Sequence, residues 1–394
     1  MIETEADRLR AQGLDVESVG EILERGSEAS PPYMAFDPPR LPESPPFPAA
    51  GIYLGMDESV YHSIHACSAS GIKKLAVSSL DYWACSPLNP DHDDEDTKAK
   101  ALGRAYHVRV CEGREAYEAR YSVELDKADY PGALFTMDDI KAKLEEMGLK
   151  AKKSKDESFD LLLEWFPDAI LWDRLVAEHR AKNEGRTLIR ALDHRRIEIA
   201  AKMIEADPEL SKAFSGGHAE VSIFFYDEAT GAPCKARIDY LKLAALVDLK
   251  SFSNTFERPV SRAIDFTIAS QKHYVGVVFY MKAIAAAKKM IREQGIDVVN
   301  GADDLDWWTK WSAQPEPTAL WVYQQTGRAP VTRGRIMHRG TVYSATEHVV
   351  NFLMRRWKRC AETFGVEPWV DVQPIERIVD ENIPLSATDF GDSE

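Results

Sequence analysis

Asp248-Leu249-Lys250 sets a carboxylate and an ammonium two residues apart, straight after the apolar run Leu243 to Val247. Such a run suits a strand buried on both faces. Side chains two apart on a strand share a face, so Asp248 and Lys250 point the same way. Charges in that position are costly unless paired or bound to a metal. A second β-type run, Arg237 to Leu241, carries Asp239 and reaches the first by a hairpin-like connection. A third, Glu220 to Phe225, precedes turn chemistry at Asp227, Glu228, Thr230 and Gly231. Three adjacent strands would bring Glu220, Asp239 and Asp248 together, with Lys250 beside them. Several hard oxygen ligands at one point suit Mg²⁺ or Mn²⁺. Such an ion activates a water and neutralises a phosphodiester under attack. Lys250 would lower the water's pKa or hold it in line. The competing reading is a structural ion pair with strand-end charges, because D-x-K alone is common by chance.

The elements around these strands follow from composition and periodicity. Ser68 to Ala84 reads as one helix with Ser68 or Ser70 as N-cap, and a helix N-terminus can hold a phosphate. Asn89 to Asp96 reads as an acidic loop, and Thr97 to Cys111 as a second helix. There Ala99, Gly103 and His107 share a face. Small residues on that face would let the helix pack closely on the sheet and deliver His107 to the acids. Met137 to Phe166 reads as helix–turn–helix with a basic turn, Lys150 to Lys155. Ile170 to Phe214 is largely helical, and its amphipathic part, Leu192 to Ala206, stops before Asp207-Pro208. Ser251 to Pro259 reads as a turn, Ser270 to Arg292 as a long helix, and Gly301 to Trp311 as an acidic, Trp-rich exposed insert. Thr318 to Gln325 and Val331 to Met337 read as a hairpin extending the sheet, and Thr346 to Phe364 as an amphipathic helix.

At the N-terminus, Glu3 to Glu24 has helix-forming composition and Pro31 to Pro48 is a proline-rich linker. The expected organisation is therefore 1–48 as helix and linker, 49–380 as one α/β domain with a helical insert around 136–166, and 381–394 as an acidic tail. The chain's 394 residues suffice for a substantial core. No apolar run is long enough to span a membrane, and the charged start MIETEADRLR is not a signal peptide. Cys67, Cys85, Cys111, Cys234 and Cys360 are scattered without a C-x-x-C pair, which suits reduced thiols in the cytoplasm and argues against an iron–sulfur cluster. Net charge of −15 opposes DNA binding unless acid lies outside and base lines an inner channel. Basic clusters at Lys150 to Lys155, Arg190 to Arg196, Arg328 to Arg339 and Arg355 to Arg359 are the places to look.

Glu220, then R-I-D at Arg237 to Asp239, then D-L-K at Asp248 to Lys250 resembles the core of the PD-(D/E)XK nuclease superfamily. SASGIKKLAVSSLDYWA (Ser68 to Ala84), LGRAYHVRVCEG (Leu102 to Gly113) and AEVSIFFYDEATGAPCKARIDYL (Ala219 to Leu241) resemble its exodeoxyribonuclease VIII (RecE-like) branch of phages and prophages. The likeness runs from about Gly51 to Trp369. It implies a restriction-endonuclease-like α/β core, a mixed central sheet flanked by helices with helical insertions. It implies Mg²⁺-dependent hydrolysis of DNA from duplex ends, 5′ to 3′. Glu220, Asp239, Asp248 and the Leu249 carbonyl would hold one or two metals, and Lys250 would serve the attacking water. His107 matches the branch's LG-x-A-x-H motif and would support the metal. By likeness to the more distant lambda-type exonucleases, Ser68, Ser70 and Lys73 would grip a 5′-phosphate. The family's Q-x-x-x-Y helix places its Tyr at Tyr280 but its Gln at Gly276, a departure for which Gln271 and Tyr274, earlier on the same helix, could substitute. Relatives form trimeric or tetrameric rings and work with a single-strand annealing protein. The Met137 to Phe166 region resembles a SAP-like module whose basic turn could touch phosphates. A catalytically silent domain that binds DNA ends or a recombination partner is the alternative the missing Gln allows.

Overall fold

The structure is a computed structural model describing residues 46–370, apart from 93–96, 296–297, 302–303 and 327–328. The expected helix at Glu3 to Glu24, most of the proline-rich linker and the acidic tail from 381 lie outside the described residues. The chain opens with β1 (Gly51–Tyr53) and three short helices, α1 (Glu58–Ser63), α2 (Ala69–Leu75) and α3 (Ser79–Ala84). Next, α4 (Lys98–His107) runs into a π-helical turn at Val108–Glu112, then α5 (Arg114–Arg120) and β2 (Tyr121–Val123). A helical region follows: α6 (Met137–Glu146), α7 (Lys155–Leu163), α8 (Trp172–Lys182), β3 (Thr187–Ile189) and α9 (Ala191–Ala206). Three long strands come next, β4 (His218–Tyr226), β5 (Pro233–Leu241) and β6 (Ala245–Ser253). The remainder is α10 (Val260–Ser270), α11 (His273–Gln294), β7 (Val298–Val299), α12 (Leu305–Ala313), β8 (Thr318–Thr326), β9 (Thr332–Ile336) and α13 (Thr341–Phe364).

A seven-stranded mixed sheet, ordered β7-β1-β4-β5-β6-β8-β9, forms the centre. The β4–β5–β6 run is antiparallel and β6–β8 is parallel. Helices cover both faces. One face carries Val221, Ile223, Phe225, Ile238, Leu246 and Phe252 against the apolar sides of α11 and α13. The other carries Tyr240, Val247, Leu249 and Val322 against α4, the π-turn and α9. This is the mixed α/β architecture expected for a nuclease-like core. The helical insertion is present too: α6 and α7 close a separate small core of Ile140, Leu144, Phe159, Leu162 and Leu171. Both helices begin with a capping box, Thr136 with Asp139 and Ser154 with Glu157, which satisfies N–H groups that the first turn leaves free.

Four expectations are corrected. Ser68 to Ala84 is two helices, because the Ser78 side chain caps a second start by accepting from Asp81 N–H. The turn expected from Ser251 begins later, since β6 pairs with β8 through Ser253↔Thr326. The helix expected from Ser270 breaks at Lys272, whose φ of +50° is left-handed, so α10 and α11 are separate. The Trp-rich segment is not an exposed insert: Trp308 and Trp311 on α12 are 2% and 0% exposed.

An aromatic cluster ties α2 and α3 to α13. Tyr82 stacks on Trp369 at 4.5 Å, and His65 lies 5.2 Å from the Trp357 ring. Burial, with Lys235 nearby, pushes the His65 imidazole down to about 4. An unfolded His titrates near ~6.5. As pH falls through the window between those values, the unfolded chain takes up a proton that the folded one refuses, so stability drops. His65→Gln should therefore be about 3 kcal/mol less acid-sensitive than the parent between neutral pH and about pH 4, read by urea melts. Buried His273, pushed down to about 3 by burial and by Lys250, acts in the same direction, so part of the slope remains.

Candidate active site

The three central strands stop behaving as a regular sheet where the acids stand. On β4, Val221, Ile223 and Phe225 face one core while Ala219 packs into the other. Residues two apart should share a face, so the alternation inverts between them. The residue at the inversion is Glu220, with φ of +53°. Left-handed backbone is uncommon outside glycine and costs energy that the surrounding structure must hold in place. β5 inverts in the same row, between Ile238 and Tyr240, at Asp239. The β5–β6 ladder pairs Tyr240↔Val247 and Leu241↔Leu246 and goes no further. The next opposed pair would be Asp239 and Asp248. There the Asp239 carboxylate takes over from the backbone, Oδ2 accepting from Leu249 N–H at 2.8 Å. Opening the ladder makes room for side chains between strands.

Lys250 Nζ lies 2.5 Å from Asp248 Oδ1 and 3.9 Å from Asp239 Oδ2. Asp248 and Lys250 therefore share a face as their spacing implies. His107, the last residue of α4, bridges the other two acids: Nδ1 is 2.9 Å from Glu220 Oε1 and Nε2 is 3.0 Å from Asp239 Oδ2. The π-helical turn begins at the next residue, and such bulges often mark functional sites. Gly103 passes over Ser251 of β6, yet a Cβ there would meet its Oγ at an ordinary 3.9 Å, so glycine is not what permits the approach. The spacing gave no signal for Arg237 as a site residue. Its Nε donates to Glu220 Oε2 at 2.5 Å and its Nη1 to the Met56 carbonyl at 3.0 Å.

Charge within the pocket is unevenly shared. Burial pushes the Asp239 carboxyl up, but Lys250 and His107 outweigh it and hold Asp239 well below the usual carboxylate range. Asp248 goes the other way: burial raises it to about 7, Lys250 opposing and Asp239 assisting. Burial disfavours the charge on Lys250, yet Asp248 and Asp239 overcome it and raise the ammonium's pKa. For His107, burial is outweighed by Cys111 and Asp239, so the imidazole is held protonated. Two carboxylates in one dry pocket cannot both stay charged cheaply, and the tighter-buried Asp248 yields.

Among solved structures, the chain is similar to the "Putative exonuclease" of Eubacterium rectale. The TM-score is 0.39 at 15% identity, covering 74% of this chain and 79% of that one. A likeness at that level carries no argument. No family model matches the chain, and no curated protein matches it. The functional reading therefore rests on the site.

Its donor set is that of a hard divalent cation: three carboxylates, the Leu249 carbonyl and an imidazole. Glu220 Oε1 is buried without a well-formed hydrogen bond, which leaves it accepting capacity. As placed, however, the acids are engaged by His107, Arg237 and Lys250. Among the described residues no three His, Cys, Asp or Glu side chains surround one point in the manner of a metal cage. The donor types fit; seating an ion would require His107 and Lys250 to give up contacts with the carboxylates.

The remaining candidates fall at different distances from the acids. Tyr280 on α11 is half-buried, and burial, with the charges of Asp248, Asp239, Tyr61 and Glu220, raises its pKa. Gly276 stands one turn earlier, where a Cβ would meet the Tyr280 ring at 4.0 Å. Gln271 does not share a helix with Tyr280: it is the C-cap of α10, and its carbonyl accepts from Lys73 Nζ at 3.1 Å. Tyr274 lies in the first turn of α11 and packs against the core. Lys73 lies close enough to Lys250 and Asp248 to feel both; burial, then Lys250, lowers its ammonium to about 8. Ser68 caps α2 by accepting from Gly71 N–H, with Ser70 Oγ 3.3 Å away. Sequence reasoning also missed His273 and Tyr323, whose Nδ1 and hydroxyl lie 2.6 Å apart and which both feel the charge of Lys250.

Proposed function

We propose that this chain is a metal-dependent nuclease that hydrolyses DNA phosphodiester bonds from duplex ends. The observation that carries the reading is the gathering of Asp239, Asp248 and Lys250 where the β5–β6 ladder opens, with Glu220 joined to Asp239 through His107. Glu220, Asp239, Asp248 and the Leu249 carbonyl would hold Mg²⁺ or Mn²⁺. Bound there, the ion supplies Lewis-acid neutralisation of the phosphate and an acidified water. Lys250, released from Asp248, would hold that water in line and manage its proton. His107, released from Glu220 and Asp239, would support the ion. Lys73, with Ser68 and Ser70, supplies a cationic, hydroxyl-bearing edge for a terminal phosphate. Tyr280 would position the strand, while Gln271 acts through its backbone on Lys73 rather than through its side chain.

Several finer points come from the family resemblance alone: 5′-to-3′ polarity, a phage-type recombination role, a ring of three or four copies and a single-strand annealing partner; residues 49–380 as one domain rests on the proline-rich stretch and acidic tail that flank it, and the cytoplasm on the scattered cysteines. No described helix is long and apolar enough to cross a membrane. A second reading, a silent domain that binds DNA ends, is favoured by the closed bonding of His107 and Lys250 to the acids and by Gly276. Linear duplex DNA labelled at its 5′ end separates the two. Nucleotide release with Mg²⁺ and none with EDTA supports the nuclease; end binding without release under both conditions supports the silent domain.

A further inference from the structure

Phe256 is the most exposed large apolar side chain among the described residues, at 78%. An isolated exposed apolar residue needs no explanation, but this one belongs to a built assembly. The Arg258 guanidinium lies 5.2 Å from the Phe256 ring and 4.6 Å from the ring of Phe266, itself 56% exposed on α10. The loop that carries them is fixed from both ends. Asn254 Nδ2 donates to the Arg258 carbonyl at 2.8 Å, and Arg258 N–H donates back to Asn254 Oδ1 at 3.0 Å. Glu257 adopts a left-handed φ of +51° to close the turn. Two open aromatic faces and a cation are thus held ready rather than left to collapse onto the core.

The assembly also has a defined address. Phe256 comes six residues after Lys250, so the chain places its Cα within about 20 Å of the Lys250 Cα, the length of about six stacked nucleotides. From Phe266, α10 runs on to Gln271, whose carbonyl accepts from Lys73, a lysine that feels the charge of Lys250. Three cations, Arg258, Arg262 and Lys272, lie along the stretch with the acids Glu257 and Asp265, and Asp265 faces Arg335 at 3.7 Å. Exposed aromatic rings with interleaved cations near a phosphodiester site suit nucleobase stacking, where every base offers a π-face.

We propose that Phe256, Arg258 and Phe266 form a stacking platform for an unpaired nucleobase of the DNA strand running to the Lys250 pocket. This rests on the nuclease reading, and the test separates the two. A fluorescent oligothymidylate and an abasic strand of equal length are titrated with the full chain in EDTA, which prevents cleavage. Phe256→Ala should weaken oligothymidylate binding about 5- to 100-fold and leave the abasic strand within about twofold, while Phe256→Trp retains parental affinity. Phe266→Ala should act in the same direction. Equal affinity of parent and Phe256→Ala for oligothymidylate overturns the platform, as does an equal loss on the abasic strand. Absence of Mg²⁺-dependent hydrolysis alongside an intact stacking difference would instead overturn the nuclease reading alone.

Discussion

Lys250→Ala lowers Mg²⁺-dependent nucleotide release by at least about 100-fold, with kcat and kcat/KM falling together. That pattern follows from a group that acts on the attacking water and adds little to DNA binding. The variant should still fold. Lys250 compensates Asp248 at 2.5 Å and Asp239 at 3.9 Å, so its removal exposes two acids to each other. Stranding a buried charge costs about 3–5 kcal/mol. Asp248 escapes much of that cost, because burial already raises it to about 7 and it can take a proton. Thermal melts beside the kinetics distinguish a folded, inactive enzyme from an unfolded one. Parental activity in a folded Lys250→Ala variant would remove Lys250 from the chemistry.

Trp311→Ala destabilises the fold by about 3–5 kcal/mol, the range for deleting a fully buried aromatic. Trp311 is 0% exposed, meets Trp308 edge-to-face at 5.5 Å and lies under Lys288 Nζ at 5.0 Å. Lys288 in turn donates to the carbonyls of Gln314 and Pro315, closing the end of α12. Against a typical total of about 5–15 kcal/mol, one such change consumes a large share. Urea melts measure it, and a loss under about 1 kcal/mol would mean that the Trp cluster is peripheral after all.

The contrast between these two residues marks what the sequence made legible. The strands around Asp239 and Asp248 were readable because their determinants are local: apolar runs, turn residues and a period of two. His107 was singled out by the LG-x-A-x-H resemblance more than by its i, i+4 spacing to Gly103, which does not set the approach. Trp307, Trp308 and Trp311 carry a helical spacing as well, but the acids before them suggested a solvated segment, and burial of that face is decided by α11. The break at Lys272 has no glycine or proline to announce it. Ser78 did carry a capping signal, Asp81 standing three residues on. The inversion at Glu220 and the bridging of Glu220 to Asp239 by His107 depend on how β4, β5 and the π-turn meet, which no window of sequence contains. Hence the acids that the fold gathers were identifiable, while their closed bonding was not.

The most direct check is the position of a metal in crystals soaked with Mn²⁺, with data collected for anomalous scattering. The proposed function requires an anomalous peak between Asp239, Asp248 and the Leu249 carbonyl, with Glu220 nearby and Lys250 Nζ drawn away from Asp248. A pocket still closed by His107 and Lys250, with no peak at those carboxylates under saturating Mn²⁺, would contradict it.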